Sequence, residues 1–214
     1  MQVCPQSAFA FDRQIANLLL AHAERPSDLA ALAFAGIISI LWRNDRPMPV
    51  PILGINAQNF SRLLSQYFGD AGKALAARLS DNAPHPVAGR NREFTELRDL
   101  LLEHRTSPCE ESEWLACAVA TGSLGENHLW QDLGLPSRKE LSQLLMQNFT
   151  ALAAKNVNDM RWKKFFYKQL CDRAGVNLCK APSCSECVDY DHCFGAEESA
   201  AQVPGTSGFL LAPR

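Results

Sequence analysis

Apolar residues recur three and four positions apart through most of this chain, and no stretch sustains the strict alternation of a half-buried strand. Phe11, Ile15, Leu18 and Leu19 predict a first helix within 8–23. The most apolar run, LAALAFAGIISILW at 29–42, is too short to span a bilayer and reads as a buried core helix. Ser27 stands where it can cap that helix, with Asp28 favourable in its first turn. Pro47, Pro49 and Pro51 then exclude a helix over 46–54. Asn56 caps a helix running to Phe68, with Phe60, Leu63, Leu64 and Tyr67 inward and Gly69 as its stop. A shorter helix follows over 71–79.

The second half continues in the same way. Residues 81–91 read as a loop, and Phe94, Leu97, Leu100 and Leu101 place a helix over 93–104. Ser107, Pro108 and the acidic run Glu110, Glu111 and Glu113 mark another helix start, continued by Trp114, Leu115, Cys117 and Ala118. Gly122 and Gly125 break the pattern. HLWQDLG at 128–134 is a short amphipathic turn stopped by Gly134, and Ser137 with Glu140 forms a capping box before LSQLLMQNF. The clearest helix runs from Asn158, capped there or at Asp159, to a left-handed stop at Gly175. It places Trp162, Phe166 and Leu170 on one face, with Phe165 and Tyr167 beside it. The expected architecture is all-α: one helical domain over 1–195 with a cysteine-rich loop at its C-terminal edge, then a flexible tail over 196–214.

Composition narrows the function classes. With 214 residues, 47% of them hydrophobic and 21% charged, the chain is long enough for one domain with a real core. A formal net charge of −2 gives no global basic field, so nucleic-acid binding gains no support. Asp12 and Arg13 interrupt the first apolar stretch and no basic leader precedes it, which does not fit a secretory signal. The reading is a cytoplasmic protein of a reducing compartment that does not engage a membrane. No Ser–His–Asp grouping, phosphate-cradling glycine loop or paired-carboxylate signature suggests an enzyme.

Four of the eight cysteines change the picture. Cys179, Cys184, Cys187 and Cys193 stand as Cys-x4-Cys-x2-Cys-x5-Cys within fifteen residues. Short spacers let a loop bring thiolates to one point, and Pro182 keeps that loop from continuing as helix. Disulfides or unrelated buried thiols are the bland alternatives, and a reducing compartment disfavours the first. The spacing leaves zinc and iron–sulfur both open. The opening Cys-x4-Cys-x2-Cys matches plant-type iron–sulfur spacing, whereas a structural zinc site usually shows a second, distant pair. Cys117 reads as a small buried hydrophobe, and Cys4 and Cys109 have no partner at ligand spacing.

The residues before the motif add charge. Arg161, Lys163, Lys164, Lys168, Arg173 and Lys180 face a single acid, Asp172, between 160 and 180. Such a run is either a plain solvated helix face or a field that favours thiolates and attracts an oxyanion such as molybdate. Three further residues are candidate ligands. Cys171 lies eight residues before Cys179 and is a packed thiol or a fifth ligand. His192 adjoins Cys193, and imidazole replaces thiolate in some iron–sulfur centres. His128 and Asp132, at i and i+4, suit either a metal pair or an ordinary His–Asp contact.

MRWKKFFYKQLC at 160–171, the four cysteines, CFG at 193–195 and HLWQDLG with LSQLLMQNF together resemble the nitrogen-fixation NifQ family. The resemblance is specific over about 126–195, and Cys179, Cys184, Cys187 and Cys193 fill every position of the family's metal motif. It implies a molybdenum–iron–sulfur cluster and a metallochaperone supplying molybdenum to the nitrogenase iron–molybdenum cofactor. The implied partners are the cofactor-assembly scaffold, the nitrogenase iron protein and molybdate or a molybdenum–sulfur species. Molybdenum comes from the resemblance and not from the spacing. A zinc-stabilised binding module and a simple iron–sulfur electron carrier are the rival classes.

Overall fold

The structure, a computed structural model, describes residues 13–41, 50–79, 91–176, 187 and 190–197. Within them the chain is helical and has no β-strand. Helices α1 (Arg13–Ala21), α2 (Leu29–Leu41) and α3 (Ala57–Ala76) form the first part, and α4 (Asn91–Glu103) and α5 (Glu110–Ser123) the middle. Then come the one-turn α6 (Leu129–Asp132), α7 (Arg138–Asn148), the one-turn α8 (Thr150–Ala153), α9 (Trp162–Arg173) and the short α10 (Tyr190–Phe194). No described helix is long and apolar enough to cross a membrane.

Two helices make the centre. From Ala30 to Ser39 nearly every residue of α2 is buried, and so is α5 from Trp114 to Ser123. A helix that is apolar all round must be enclosed by others. Accordingly α2 packs against α1, α5, α6 and α7, while α5 packs against α2, α4 and α6. One close approach is at Gly36. A Cβ there would fall 2.1 Å from the carbonyl oxygen of Leu133, so only glycine lets α2 lie against the turn after α6. The most apolar stretch of the sequence thereby sets the position of HLWQDLG.

The helix ends explain where the sequence-based boundaries hold and where they shift. Asn56 caps α3 as expected, accepting from Asn59 N at 2.8 Å. Phe60, Leu63 and Leu64 are buried as expected. Gly69 kinks the helix at φ 50° instead of ending it, so the two expected helices run together. The cap of α2 is Asp28, which accepts from Ala30 N at 3.0 Å, one residue later than Ser27. In α1, Leu19 is buried but Leu18 is 54% exposed, because Ala16 and Leu20 share the inward face instead. Gly122 lies inside α5, and the break comes after Ser123. At α7 the Ser137 hydroxyl accepts from Lys139 N and donates to the Glu140 carboxylate, so Ser137 caps the backbone while Glu140 returns to the Ser137 side chain.

The largest shift is at α9, which begins at Trp162 and not at Asn158. Asp159 adopts φ 52°, outside helical space. Asn156 holds the turn by accepting from Met160 N and donating to Met160 O. Arg138 adds bonds to the Asp159 and Met160 carbonyls. Trp162, Phe165 and Phe166 then turn into the core, with Leu170 half-buried at its edge. The proline link is described only from residue 50, and the loop expected at 81–91 lies outside the described residues up to 90.

Candidate functional site

Three segments meet at one end of the bundle: the turn entering α6, the start of α9, and α10 with the three residues after it. The first two are joined by an ion pair. Lys163 Nζ stands 2.5 Å from Asp132 Oδ2 and donates to the Gly125 carbonyl at 2.7 Å. Asp132 is buried, and its carboxylate also accepts from the backbone and side-chain nitrogens of Asn127. Gly125 makes room for this arrangement, since a Cβ there would sit 2.4 Å from the Asp132 carboxyl.

The third segment is fastened by Arg161. Its backbone N–H donates to Cys193 O at 2.8 Å, and its guanidinium donates to the carbonyls of His192, Gly195 and Ala196. Cys193 and Phe194 pack against the core, and the rings of Tyr190 and Phe194 stack with centroids 4.6 Å apart. Glu197 completes the attachment. Its side chain is only 3% exposed, accepts from Arg138 at 2.5 Å and lies 3.6 Å from His128 Nδ1. The expected flexible tail therefore begins with an anchored residue, and the rest of it, from 198, lies outside the described residues.

These segments border a half-open cavity of about 140 Å³. Lys163 and Lys164 line it from α9, Arg161 from the residue before that helix, His192 from α10 and His128 from the turn before α6, with Glu197 among them. Five residues singled out in the sequence, three as one basic run and the two histidines separately, thus line one cavity. Their surroundings divide the basic run. Arg161 and Lys163 are engaged in the fold, Lys164 is exposed at the cavity, and Lys168 pairs with Asp172 at 2.7 Å away from it. A uniform solvated basic face is not what forms. His128 and Asp132 do not pair with each other either: Asp132 turns to Lys163 and Asn127, while His128 faces Glu197.

Of the four motif cysteines, Cys179 and Cys184 lie outside the described residues. Cys187 and Cys193 are half-buried, with the Cys187 carbonyl accepting from Tyr190 N. Among the described residues no three of histidine, cysteine, aspartate and glutamate gather as a metal site. The donor chemistry of Cys187 and Cys193 suits a soft metal, because half-buried thiols keep access without full desolvation. Cys171 is half-buried in a different groove, beside Arg92, Glu96 and Tyr167. Cys109 is exposed, and burial pushes the Cys117 thiol up to about 11, which keeps it protonated and a poor ligand.

Sequence reasoning missed Asn127, Arg138 and Glu197 as parts of this site, and Asp132 as the partner of Lys163. Glu197 sits in a small, polar stretch without periodicity, so nothing local marks it. A buried acid opposite the basic run was the one available signal, and Asp132 within an amphipathic turn carried it.

The NifQ family model matches residues 33–195. Protein NifQ of Azotobacter vinelandii is 44% identical over 152 residues, covering 68% of this chain and 78% of that protein. A NifQ homolog of Sinorhizobium fredii is 45% identical over 108 residues, covering 50% of this chain and 47% of its own length. Protein NifQ of Rhodobacter capsulatus is 42% identical over 114 residues, covering 53% and 62% respectively. No solved structure matches the chain.

Proposed function

Because the chain belongs to the NifQ family, we propose that it is a nitrogen-fixation metallochaperone that carries molybdenum to the assembly of the nitrogenase iron–molybdenum cofactor. Cys179, Cys184, Cys187 and Cys193 would hold an iron–sulfur cluster. When bound, such a cluster would supply sulfide as a ligand for molybdenum, so that releasing the metal would break few bonds to the protein. The chain's own residues anchor, charge and shield the site. It is a carrier and not a catalyst, acting in the cytoplasm on molybdate or a molybdenum–sulfur species. It hands its cargo to the cofactor-assembly scaffold and the nitrogenase iron protein.

The observation that best supports this reading is the double role of Arg161. It holds the carbonyl of a motif cysteine, Cys193, and at the same time lines the cationic cavity. An anionic cargo attracted by Arg161 and Lys164 therefore arrives beside the cysteine-bearing segment, where like charges raise local anion concentration. His192 faces that cavity and suits the role of a donor to the cargo.

Anaerobic reconstitution with iron and sulfide, followed by an absorption spectrum and metal analysis, tests the reading. The expected result is a coloured protein that takes up iron and then molybdenum. Replacing Cys179, Cys184, Cys187 or Cys193 by Ala should sharply lower bound iron, and replacing Cys4 or Cys109 should not. A colourless chain with one zinc would mean a zinc-stabilised module. Reversible redox chemistry without molybdenum uptake would mean an electron carrier.

A further inference from the structure

We propose that the cavity between α6, α9 and α10 is a binding site for a small tetrahedral oxyanion, and that the Glu197 carboxylate is a resident competitor which the incoming anion displaces. The inference deepens the metallochaperone reading and rests on it for its physiological meaning, but the site stands on its own geometry. Its volume of about 140 Å³ compares with about 30 Å³ for a water molecule in the liquid, which leaves room for one small polyatomic ion. The polar part of the lining supplies donors, and Leu129, Leu141 and Trp162 form its apolar part. Arg161 donates to neutral carbonyls, which orient its guanidinium without cancelling its charge. Lys164 is exposed at the wall, and His128 and His192 each carry a ring N–H in any protonation state.

An anion already sits there. Glu197 places a carboxylate in this lining although its side chain is only 3% exposed, against Arg138 on one oxygen and 3.6 Å from His128 on the other. Burying a carboxylate is costly unless cations receive it. Its cation partner, Arg138, stands outside the lining, and His128, 3.6 Å away, is its partner within it. A dianion brings twice the charge of this one, and Arg138 keeps the Asp159 carboxylate when Glu197 leaves. Displacement also has a mechanical consequence. Glu197 follows directly on Gly195 and Ala196, whose carbonyls Arg161 holds, and Cys193 lies four residues back. Loss of the Glu197 contact therefore loosens the segment that bears a motif cysteine at the moment the anion enters.

The test is equilibrium dialysis of the full, iron-free chain against molybdate, with sulfate as competitor. One saturable site is expected, with sulfate displacing molybdate. If Glu197 fills the cavity in nine of ten molecules, Glu197→Gln raises the apparent affinity about tenfold. Lys164→Gln and His128→Gln should each weaken binding, and Arg92→Gln, in the groove beside Cys171, should not. Melting followed by circular dichroism identifies any variant that fails to fold, and exposed Lys164 then decides. Absence of saturable binding in both the unaltered chain and Glu197→Gln would overturn the site. Unchanged or weaker binding in a folded Glu197→Gln would overturn the competitor role, and unweakened Lys164→Gln the location. Molybdate that sulfate fails to displace would overturn the ligand class. Failure to load iron would sink the metallochaperone reading and leave these results intact, because no iron enters the assay.

Discussion

Lys163 reaches across from α9 to a buried carboxylate on α6, with its Nζ 2.5 Å from Asp132 Oδ2. This pair separates Lys163 from the neighbours it resembles in sequence. The Asp132 carboxylate is desolvated and gathers the backbone and side chain of Asn127 as well, so it fixes the turn that presents His128. Lys164, one residue on, is exposed and lines the cavity without any such burial.

Removing the two lysines should therefore have unequal consequences. Lys163→Gln leaves Asp132 buried without its cation and should cost about 3 kcal/mol, near the lower end for breaking a buried pair. Lys164→Gln should stay within about 0.5 kcal/mol, as exposed substitutions do. Urea unfolding midpoints of the two variants check this. Equal midpoints would mean that the ion pair contributes nothing net.

Gly36→Ala should destabilise the chain even though alanine is the better helix former. The propensity gain is about 1 kcal/mol. Against it stands a Cβ placed 2.1 Å from the Leu133 carbonyl oxygen, a clash with backbone that no rotamer relieves. Overpacking of a well-filled core costs about 1–3 kcal/mol, and a contact this short belongs at or beyond the upper end. A net loss of about 2 kcal/mol is expected in denaturant titration, together with altered exchange of the amides of α6.

The core was legible because it is repetitive. Phe94, Leu97, Leu100 and Leu101 declare their helix by spacing alone, and all four are buried. Boundaries were less so where a side chain competes with the backbone. Asn156 and Arg138 keep Met160 in a turn, and nothing in the run 158–175 signals that the first three residues are taken. Within the candidate site, sequence supplied the cationic members and not their geometry. His128, Lys163 and His192 were singled out on separate grounds, and only long-range packing puts them on one cavity. Glu197 was unreadable, because a carboxylate in an unpatterned stretch has no local sign of burial.

Alkaline pH should expose the cost of burying Cys117. Burial, the largest cause, raises its thiol from 9.0 to about 11 in the folded chain. Between these values the unfolded chain has released the proton and the folded chain still holds it. Unfolding free energy therefore falls as pH rises: the contribution is fully present below about 9 and is lost as pH passes about 11. Two pKa units correspond to at most about 2–3 kcal/mol. Cys117→Ala should start less stable at pH 7 but lose less between pH 9 and 11. Tyr67, also pushed up to about 12 by burial, remains in both proteins and so cancels in the comparison. Parallel pH profiles would show that the Cys117 thiol is not desolvated as its 6% exposure implies.

Arg161 should matter most for local order. Its backbone bond to Cys193 does not depend on the side chain, so Arg161→Gln removes only the guanidinium bonds to His192, Gly195 and Ala196. Hydrogen bonds from a charged donor are worth about 1.5–3 kcal/mol each, but those at 3.3 and 3.4 Å are long and exposed, so a total near 2 kcal/mol is reasonable. That energy belongs to the opening of 190–197 and not to global unfolding, because Trp162 and Phe166 hold α9 in the core independently. Amide exchange should accelerate about thirtyfold over 190–197 and stay unchanged in α2 and α5, with little shift in melting temperature. Arg161→Lys should recover the charge but not the fork that spans three carbonyls, and so restore only part of the protection. Iron retention after reconstitution should follow the exchange rates, since Cys193 moves with this segment. A variant that exchanges faster throughout the chain would instead make Arg161 a general stabiliser, and unaltered exchange at 190–197 would mean that Cys193 and Phe194 hold the segment through packing alone.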